Sequence, residues 1–489
     1  YYNMKNYNIL TNFFKKPNKR VLGLKKNNNW YWMSNEHMIK NINDASNILT
    51  NLSVNKGDRI VYQGKNSIEW LSWNLAVQSK GAIWVPMYAD QSKEYCQYIV
   101  NDCTPKLAIT DGTNYYSNTV NIDNKINSSG YSNETEINIV DTNKDDISTL
   151  IYTSGTTGNP KGVMLSHDNL TSNIKTLESR FKDIDYKTTS LNILPWAHVY
   201  SLTTELYYNL YRNNSIAIAS NKTTFINEMR EVRPNVLYIV PRILDLIKQK
   251  LDKYDIPLFN HTISYILKYM LGGNIKYIFI GGAKLNDSTK FFFIRNGIKI
   301  CEGYGTTETS PMISVNHYRY PRNIFTVGKI LDNIEVHIEN GEIWVTGPNI
   351  MKGYWNNLKK TNEVLINHNN KLWYKTGDSG YVKNEFLYYD ARIGENYKLS
   401  NGKFVNVNEV ESKIKRYIPT NFIVYGEGMD SNILIVEKPF NNSTLNIINK
   451  KLDKHLHISD VIHVDDFSKY LTPKMSIKRK FLIEDFVKN

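Results

Sequence analysis

The stretch Tyr152-Thr-Ser-Gly-Thr-Thr-Gly-Asn-Pro-Lys-Gly162 joins the end of a predicted strand to a segment with helical apolar spacing. Its glycines allow backbone N–H groups to close around an anion, its hydroxyls add donors, and Lys161 adds a positive charge. It is not a Walker A loop, because Pro160 stands where the motif G-x-x-x-x-G-K requires glycine. A Gly- and Thr-rich surface loop is the alternative for a generic run of this kind. Eleven consecutive residues of defined type favour the anion-binding interpretation.

Outward from this loop, strands and helices alternate. Before it, segments with helical spacing (37–52 and 68–77) alternate with apolar runs (60–62 and 82–87). Residues 112–147 are polar and are predicted to be rich in loops. After it, we predict strands near 191–194, 215–219, 236–240, 276–280 and 299–301, and helices near 168–181, 224–231 and 242–252. Such alternation predicts mostly parallel sheets covered by helices.

The pattern changes in the last third of the chain. From 324 to 390, short runs of period two are separated by Gly and Asn, which predicts an antiparallel subdomain such as a small barrel. Residues 396–489 mix strands (421–425, 433–436) with helices (408–417, 443–455). This region is therefore predicted to be a separate domain.

The chain has 60 basic and 47 acidic residues, a net charge of +13. Forty-seven of the basic residues are Lys and 13 are Arg, and 62 residues are Asn, so A/T-rich codon usage explains the excess as well as a function does. Arg forks, the usual readers of bases and phosphates, are scarce. We therefore expect no nucleic-acid partner, while contact with an anionic membrane surface stays open.

The composition also bears on the compartment. No apolar run approaches the roughly 18 residues of a membrane span, and residues 1–16 show no secretory signal. Cys96, Cys103 and Cys301 have neither metal-ligand spacing nor partners for a disulfide framework. We expect a cytoplasmic protein, with peripheral attachment to a membrane surface as the alternative.

Further motifs follow the same order as in a known superfamily. They are Gly57-Asp-Arg59, Asn66-Ser-Ile-Glu-Trp70, Gly81-Ala-Ile-Trp-Val-Pro86, Leu194-Pro-Trp-Ala-His198, Val240-Pro-Arg242, Gly281-Gly-Ala283, Glu302-Gly-Tyr-Gly-Thr-Thr-Glu308, Gly341-Glu-Ile-Trp-Val-Thr-Gly347, Trp373-Tyr-Lys-Thr-Gly-Asp378 and Ser400-Asn-Gly-Lys-Phe-Val405. With the loop at 152–162, this set resembles the acyl-adenylate-forming (AMP-binding) superfamily, and its long-chain fatty acid–CoA ligase branch most closely.

The resemblance implies an α/β fold with a large N-terminal domain at 1–390. That domain would hold two mixed β-sheets flanked by helices and the small barrel-like subdomain at 324–390. A hinge at 391–395 would lead to a small mobile α+β lid domain at 396–489.

The resemblance also implies a reaction. A carboxylate attacks the α-phosphorus of ATP and releases pyrophosphate, and the thiol of CoA then attacks the acyl-adenylate. Bringing two anions together requires Mg²⁺, donors and cations around the phosphates. Tyr304 would stack on adenine, Thr307 would contact phosphate and Glu308 would bind Mg²⁺. The full set implied for ATP is Thr153, Ser154, Gly155, Thr156, Thr157, Gly158, Lys161, Gly282, Ala283, Glu302, Gly303, Tyr304, Gly305, Thr306, Asp378 and Arg392.

Other residues are implied for the acid and for CoA. Asp378 and Arg392 would hold the ribose, and His198 would lie near the reacting carboxylate. The acyl pocket implied is Trp196, His198, Tyr200 and Gly281, and the lid residues near CoA are Gly402 and Lys403.

Two positions depart from the superfamily's pattern. At the hinge, where Asp or Lys is usual, this chain has Gly394, which allows a swivel without favouring either state. In the C-terminal run Thr472-Pro-Lys-Met-Ser-Ile-Lys-Arg479, Ser476 stands where the adenylation Lys is expected. Lys474 and Lys478 are the candidate substitutes, and they complete the predicted catalytic set of Thr307, Glu308, His198, Lys474 and Lys478.

The acid itself is expected to be uncharged beyond its carboxylate. Between Ser190 and Arg212 the one acidic residue is Glu205, so an amine in this apolar pocket would lack a partner. We therefore predict a fatty acid–CoA ligase whose substrates are a fatty acid, ATP and CoA. The alternatives are a ligase that loads a carrier protein, a catalytically impaired binding protein, and a membrane-surface module. Chain length and oligomeric state stay open.

Overall fold

The computed structural model describes residues 6–487 except 111–119, 124–125, 127–134, 154–159, 183–186, 253–259, 320, 395, 440 and 472–476. Contacts divide the chain into two units. The first comprises residues 1–335 and 345–374, and the second comprises 336–344 and 375–489. Within the described residues, no helix combines the length and the apolar character that crossing a bilayer requires.

The first part of the first unit forms one sheet, a peripheral hairpin and three helices. In chain order these elements are β1 (Leu22–Lys26), β2 (Asn29–Met33), α1 (Asn35–Asn51), β3 (Arg59–Gln63), α2 (Ile68–Ser79), β4 (Ile83–Met87), α3 (Lys93–Cys103), β5 (Leu107–Thr110), β6 (Val120–Asp123), β7 (Ile147–Thr153) and β8 (Lys161–Ser166). The sheet has the order β6-β5-β3-β4-β7-β8, with β8 antiparallel to β7 and the other pairs parallel. Ser34, Ser67 and Ser92 start the three helices, because each hydroxyl accepts a backbone N–H of the first turn.

The rest of the first unit up to residue 330 builds a second sheet. Its elements are α4 (His167–Arg180), β9 (Thr189–Asn192), a π-helix (Tyr200–Tyr207), α5 (Tyr208–Tyr211), β10 (Ser215–Ile218), α6 (Phe225–Val232), β11 (Val236–Ile239), α7 (Pro241–Asp252), α8 (Asn260–Met270), β12 (Tyr277–Ile280), α9 (Asp287–Arg295), β13 (Ile300–Gly305), β14 (Met312–Val315) and β15 (Lys329–Ile330). In this unit the strand order is β15-β14-β13-β12-β11-β9-β10-β1-β2, and the strands from β13 to β1 are parallel. Buried side chains such as Leu237, Ile278 and Phe293 pack this sheet against its helices.

The remaining elements are short strands and helices. They are β16 (Glu335–Glu339), β17 (Glu342–Thr346), α10 (Leu358–Val364), β18 (Leu365–His368), β19 (Lys371–Lys383), β20 (Phe386–Arg392), β21 (Tyr397–Lys398), β22 (Phe404–Val405), α11 (Val407–Ile414), β23 (Phe422–Tyr425), β24 (Asn432–Val436), α12 (Asn442–Asn449), β25 (Ile458–His463) and α13 (Arg479–Val487). In the second unit β19 and β20 are antiparallel, and a sheet of order β23-β24-β25 packs on a core that includes Val410, Val424 and Ile448.

The predicted alternation and the two mixed sheets with flanking helices are confirmed. The prediction of loop throughout 112–147 is wrong at β6, whose Val120-Asn-Ile-Asp123 alternates and pairs with β5. Much of the rest of that stretch lies outside the described residues. Helix α12 ends at Asn449, short of the predicted residue 455, and a turn at Lys450–Leu452 follows it. The hinge at 391–395 stays a prediction.

Candidate active site

The carboxyl ends of four parallel strands meet at one edge of the second sheet. The segments that follow β9, β11, β12 and β13 include 193–198, 240–242, 281–283 and 306–308. Ligands of α/β folds bind outside the carboxyl ends of strands. The fold therefore brings several of the motifs singled out in the sequence to one edge.

The ends of the 152–162 loop are fixed by strand pairing. Thr153 ends β7 and pairs with Lys161, which begins β8. Just before the loop, the Tyr152 hydroxyl donates to Asp102 Oδ2 of α3 across 2.5 Å. The predicted phosphate ligands within the loop, Ser154, Gly155, Thr156, Thr157 and Gly158, lie outside the described residues.

The turn at 306–309 follows β13 directly. Its backbone approaches the next segment closely, since a Cβ on Gly305 would lie 1.7 Å from Pro311 O and one on Gly303 would lie 2.4 Å from the Met312 methyl. Thr309 Oγ1 accepts a hydrogen bond from Thr306 N at 3.0 Å and fixes the turn. Thr307 is buried, and the Tyr304, Thr306 and Glu308 side chains are half-buried. Only glycine fits at 305 unless the Pro311 backbone moves, whereas a Cβ at 303 requires a shift of the flexible Met312 side chain.

A strap, residues 351–355, connects this turn to β8. Its backbone hydrogen bonds run from Met351 N to Glu308 O (2.8 Å) and from Trp355 N to Gly162 O (2.7 Å). The Tyr354 hydroxyl donates to Glu308 Oε1 at 2.8 Å. The Lys161 ammonium lies 5.1 Å from the centroid of the Tyr354 ring. The strap thus brings a cation and a carboxylate that are far apart in sequence to one aromatic side chain.

Three of the four predicted acyl-pocket residues lie together. His198 Nδ1 accepts a hydrogen bond from Tyr200 N at 3.2 Å. The Tyr200 ring lies against the backbone of Gly281, where a Cβ would come within 2.9 Å of it. Leu194 and Val240 pack on the same tyrosine. Leu194, Val240 and the Tyr200 ring thus form an apolar wall beside the imidazole.

Trp196, the fourth predicted pocket residue, packs elsewhere. Its fully buried ring lies 5.4 Å from Trp70, which in turn lies 5.1 Å from Trp84 and 6.0 Å from Tyr62. Trp196 N donates to Asn66 Oδ1 at 2.9 Å. The side chain thus anchors the Leu194–His198 segment in an aromatic cluster.

Beneath that segment, Glu205 on the π-helix is fully buried. Burial raises the pKa of its carboxyl to about 8, and hydrogen bonds with Asn192, Ser201 and Ser190 counteract only part of this shift. π-Helical turns occur often at functional sites. At neutral pH this buried acid is therefore mostly protonated and carries little charge.

Glu302, predicted to contact ATP, has its carboxylate in a buried ion pair. Glu302 Oε2 lies 2.6 Å from the Lys290 ammonium, and Oε1 accepts from Leu285 N at 3.0 Å. These contacts hold the loop that carries Gly282 and Ala283, which are both exposed. The side chain supports the 281–285 loop, and the ATP role of residue 302 stays a prediction.

In the second unit, the predicted ribose residues form an ion pair. Asp378 and Arg392 are register partners on β19 and β20, and the guanidinium lies 2.9 Å from Asp378 Oδ1. Asp378 is 3% exposed. Gly377 has φ +70° and donates its N–H to Glu342 Oε1 at 3.0 Å. The carboxylate is thereby held in a fixed orientation.

The remaining predicted residues lie in turns of the second unit. Gly402 and Lys403 lie at the exposed turn between β21 and β22, where Gly402 has φ +77°. Gly394 is exposed, and a Cβ there would meet no atom within 4 Å. Lys478 N donates to Tyr470 O at 2.6 Å. Lys474 and Ser476 lie outside the described residues.

Two contributors were missed by the sequence analysis, Tyr354 and Asp102. Tyr354 lies 46 positions from Glu308, and Asp102 lies 50 positions from Tyr152. No local sequence motif indicates that Tyr354 contacts Glu308 or that Asp102 contacts Tyr152. Only the fold brings these pairs together.

The strand ends and the Thr307–Glu308 turn place these motifs at one edge of an α/β fold, where such folds bind ligands. The AMP-binding enzyme family matches residues 11–355, and the chain belongs to this family of acyl-adenylate-forming ligases.

Known proteins with similar sequences and folds include CoA ligases. The chain is 28% identical to the probable CoA ligase CCL5 of Humulus lupulus, over 72% of this chain and 69% of that protein. It is 25% identical to the long-chain-fatty-acid–CoA ligase ACSBG1 of Rattus norvegicus, over 82% of this chain and 66% of that protein. It thus spans about two thirds of each relative's length. The crystal structure of ATP-bound MatB from Rhodopseudomonas palustris shares the fold, with a TM-score of 0.82 and 23% identity over 98% of this chain and 99% of that chain.

Proposed function

We propose that this protein is an AMP-forming fatty acid–CoA ligase that uses ATP, Mg²⁺ and CoA. The observation that carries the proposal is the convergence of Lys161 and Glu308 on Tyr354. A cation and a carboxylate beside an anion-binding loop suit the polyphosphate of ATP and its metal ion.

Each part of ATP is assigned to particular residues. Lys161 and the hydroxyls of Ser154, Thr156 and Thr157 bind the β- and γ-phosphates, and Thr307 contacts the α-phosphate. The Tyr304 ring stacks on adenine. Asp378 accepts hydrogen bonds from the ribose hydroxyls, with Arg392 beside it. Binding of the phosphates by Lys161 and Thr307 would hold the α-phosphorus for attack by the carboxylate.

Glu308 suits Mg²⁺ in its chemistry. Its carboxylate is a hard oxygen ligand, and the Tyr354 hydroxyl engages one of its two oxygens. Mg²⁺, when bound, would neutralise phosphate charge that otherwise repels the carboxylate of the acid.

A fatty acid is the acid that the pocket favours. Leu194, Tyr200 and Val240 form an apolar wall beside His198. The nearby acid, Glu205, is mostly protonated at neutral pH and is hydrogen-bonded within the core. An ammonium group on the acid would therefore face this apolar wall and a mostly neutral Glu205, and would lose several kcal/mol of solvation.

For the second half-reaction, we propose that the turn with Gly402 and Lys403 approaches CoA. For adenylation, we propose that Lys474 or Lys478 supplies the cation absent at Ser476. Removal of one cation at a developing phosphorane typically costs a factor of about 100 to 1,000 in rate. The C-terminal substitution therefore favours slow adenylation and makes a catalytically impaired protein the second candidate.

The test is to incubate purified protein with ATP, Mg²⁺, CoA and a series of fatty acids and to detect the products by mass spectrometry. Acyl-CoA, formed by wild type and lost in Lys161→Ala, is the expected result. Acyl-AMP without acyl-CoA would point to carrier loading. ATP binding without either product would replace the proposal with the impaired protein.

A further inference from the structure

We propose that Tyr354 is a positioning residue that holds Lys161 and Glu308 in the geometry required by Mg²⁺-bound ATP. This inference rests on the proposed function, because it assigns Lys161 and Glu308 to the phosphates and the metal ion. Tyr354 itself is assigned no contact with the phosphates or with the metal ion.

Tyr354 uses two different parts of its side chain. The hydroxyl donates to Glu308 Oε1 at 2.8 Å, and the ring faces the Lys161 ammonium at 5.1 Å. A phenol donor restricts rotation of the carboxylate, and the negative face of a ring attracts an ammonium ion. One side chain thereby orients both charges without neutralising either.

The backbone around Tyr354 is held on both sides. Tyr354 N donates to Thr361 Oγ1 at 2.9 Å, and Tyr354 forms a bridge with Val163 of β8. The preceding Gly353 has φ +130°, and a Cβ there would lie 2.8 Å from Thr361 Cγ2. Only glycine therefore allows the chain to turn at this point and direct Tyr354 between β8 and the Glu308 turn.

Tyr354 is itself buried, with 4% of its surface exposed. A buried side chain with a fixed backbone pays little additional entropy when the ligand binds, so the two charges are already placed. The two contacts are chemically separable, because phenylalanine keeps the ring and lacks the hydroxyl, whereas leucine lacks both.

The test measures equilibrium binding of a fluorescent ATP analogue with Mg²⁺ and, separately, with EDTA. Tyr354→Phe is expected to weaken binding with Mg²⁺ about 10-fold and to leave binding in EDTA within about 2-fold of wild type. Tyr354→Leu is expected to weaken binding in EDTA as well, by about 3-fold, because Lys161 loses its ring. Tyr31→Phe, a 52% exposed tyrosine on β2, is the matched control and should bind as wild type does.

A double-mutant cycle separates positioning from general destabilisation. If Tyr354 acts through Glu308, adding Tyr354→Phe to Glu308→Gln should weaken Mg²⁺-dependent binding no further. Additive losses, or a Tyr354→Phe variant with unchanged Mg²⁺ dependence, would overturn the inference. Binding by the wild-type protein that does not depend on Mg²⁺ would also overturn it.

Should Tyr354→Leu not fold, Tyr354→Phe and the double-mutant cycle still decide the role of the hydroxyl. Wild-type protein that shows this pattern yet makes no acyl product would contradict the proposed function and leave the role of Tyr354 intact.

Discussion

Asn192 donates a hydrogen bond to Glu205 Oε2 across 2.7 Å, although both side chains are buried. Asn192 ends β9 and also donates to Leu194 O at 2.9 Å. The buried acid therefore holds the start of the segment that leads to His198. The burial of this carboxyl also affects how the stability of the fold depends on pH.

The pKa of Glu205 makes stability depend on pH. Because burial raises this pKa from 4.5 to about 8, the folded state binds more protons than the unfolded state between these values. Stability attributable to Glu205 is therefore present at low pH and falls as pH rises through this window, by about 5 kcal/mol in total. Glu205→Gln is neutral throughout, so Tm of the variant minus Tm of wild type should increase from about pH 5 to about pH 8. Thermal melts that differ by a constant amount across this range would contradict the raised pKa.

The Lys290–Glu302 ion pair should be sensitive to removal of one partner. Lys290→Met leaves a buried carboxylate unpaired and is expected to cost about 3–5 kcal/mol of unfolding free energy. The exposed pair Lys371–Glu335, separated by 2.7 Å, is the matched control. There, Lys371→Met should cost less than about 1 kcal/mol. Thermal melts of the two variants check this, and equal losses would show that burial of the first pair has no energetic effect.

Asp378 should determine how the protein recognises ribose. If its carboxylate accepts hydrogen bonds from the ribose hydroxyls, wild type should prefer ATP over 2′-deoxy-ATP. Asp378→Asn should weaken ATP binding about 10- to 100-fold and lose most of that preference. Titration of both nucleotides against both proteins measures the effect. A variant that keeps the full preference would remove Asp378 from the nucleotide site.

Ser476 offers a gain-of-function experiment. Ser476→Lys should raise the rate of ATP–pyrophosphate exchange about 10- to 100-fold, because it restores a cation at the position expected for adenylation. Lys474→Ala and Lys478→Ala, measured in the same assay, show whether either lysine already supplies the cation that is missing at Ser476. If none of the three changes alters exchange, the C-terminal run takes no part in adenylation.

The sequence was sufficient for the elements that carry motifs. Strand β12 is a short apolar run that ends just before Gly281, and the strand predicted at 299–301 is the start of β13. The period-two runs at β17 and β20 were likewise readable. Such local signals depend on a few neighbouring residues.

Contacts between residues far apart in the sequence could not be predicted in this way. The Tyr354–Glu308 hydrogen bond depends on where the strap meets β8, and no local pattern encodes that meeting. The π-helix at 200–207 differs from an α-helix by about one residue per turn, too little to show over eight residues. The turn of the β1–β2 hairpin contains two consecutive asparagines, Asn27 and Asn28. Both have positive φ, as a tight hairpin turn requires. With 62 Asn residues in the chain, that signal did not stand out.

Transfer of an oxygen atom from the acid to AMP shows directly whether this protein forms an acyl-adenylate. The protein would be incubated with ATP, Mg²⁺, CoA and a fatty acid labelled with ¹⁸O in both carboxylate positions, and AMP would be analysed by mass spectrometry. Attack of the carboxylate on the α-phosphorus, followed by attack of the thiol on the acyl carbon, leaves one acid oxygen on phosphorus. If the protein forms an acyl-adenylate, AMP carries one ¹⁸O for every acyl-CoA formed. Unlabelled AMP, or ADP in its place, would contradict an acyl-adenylate intermediate.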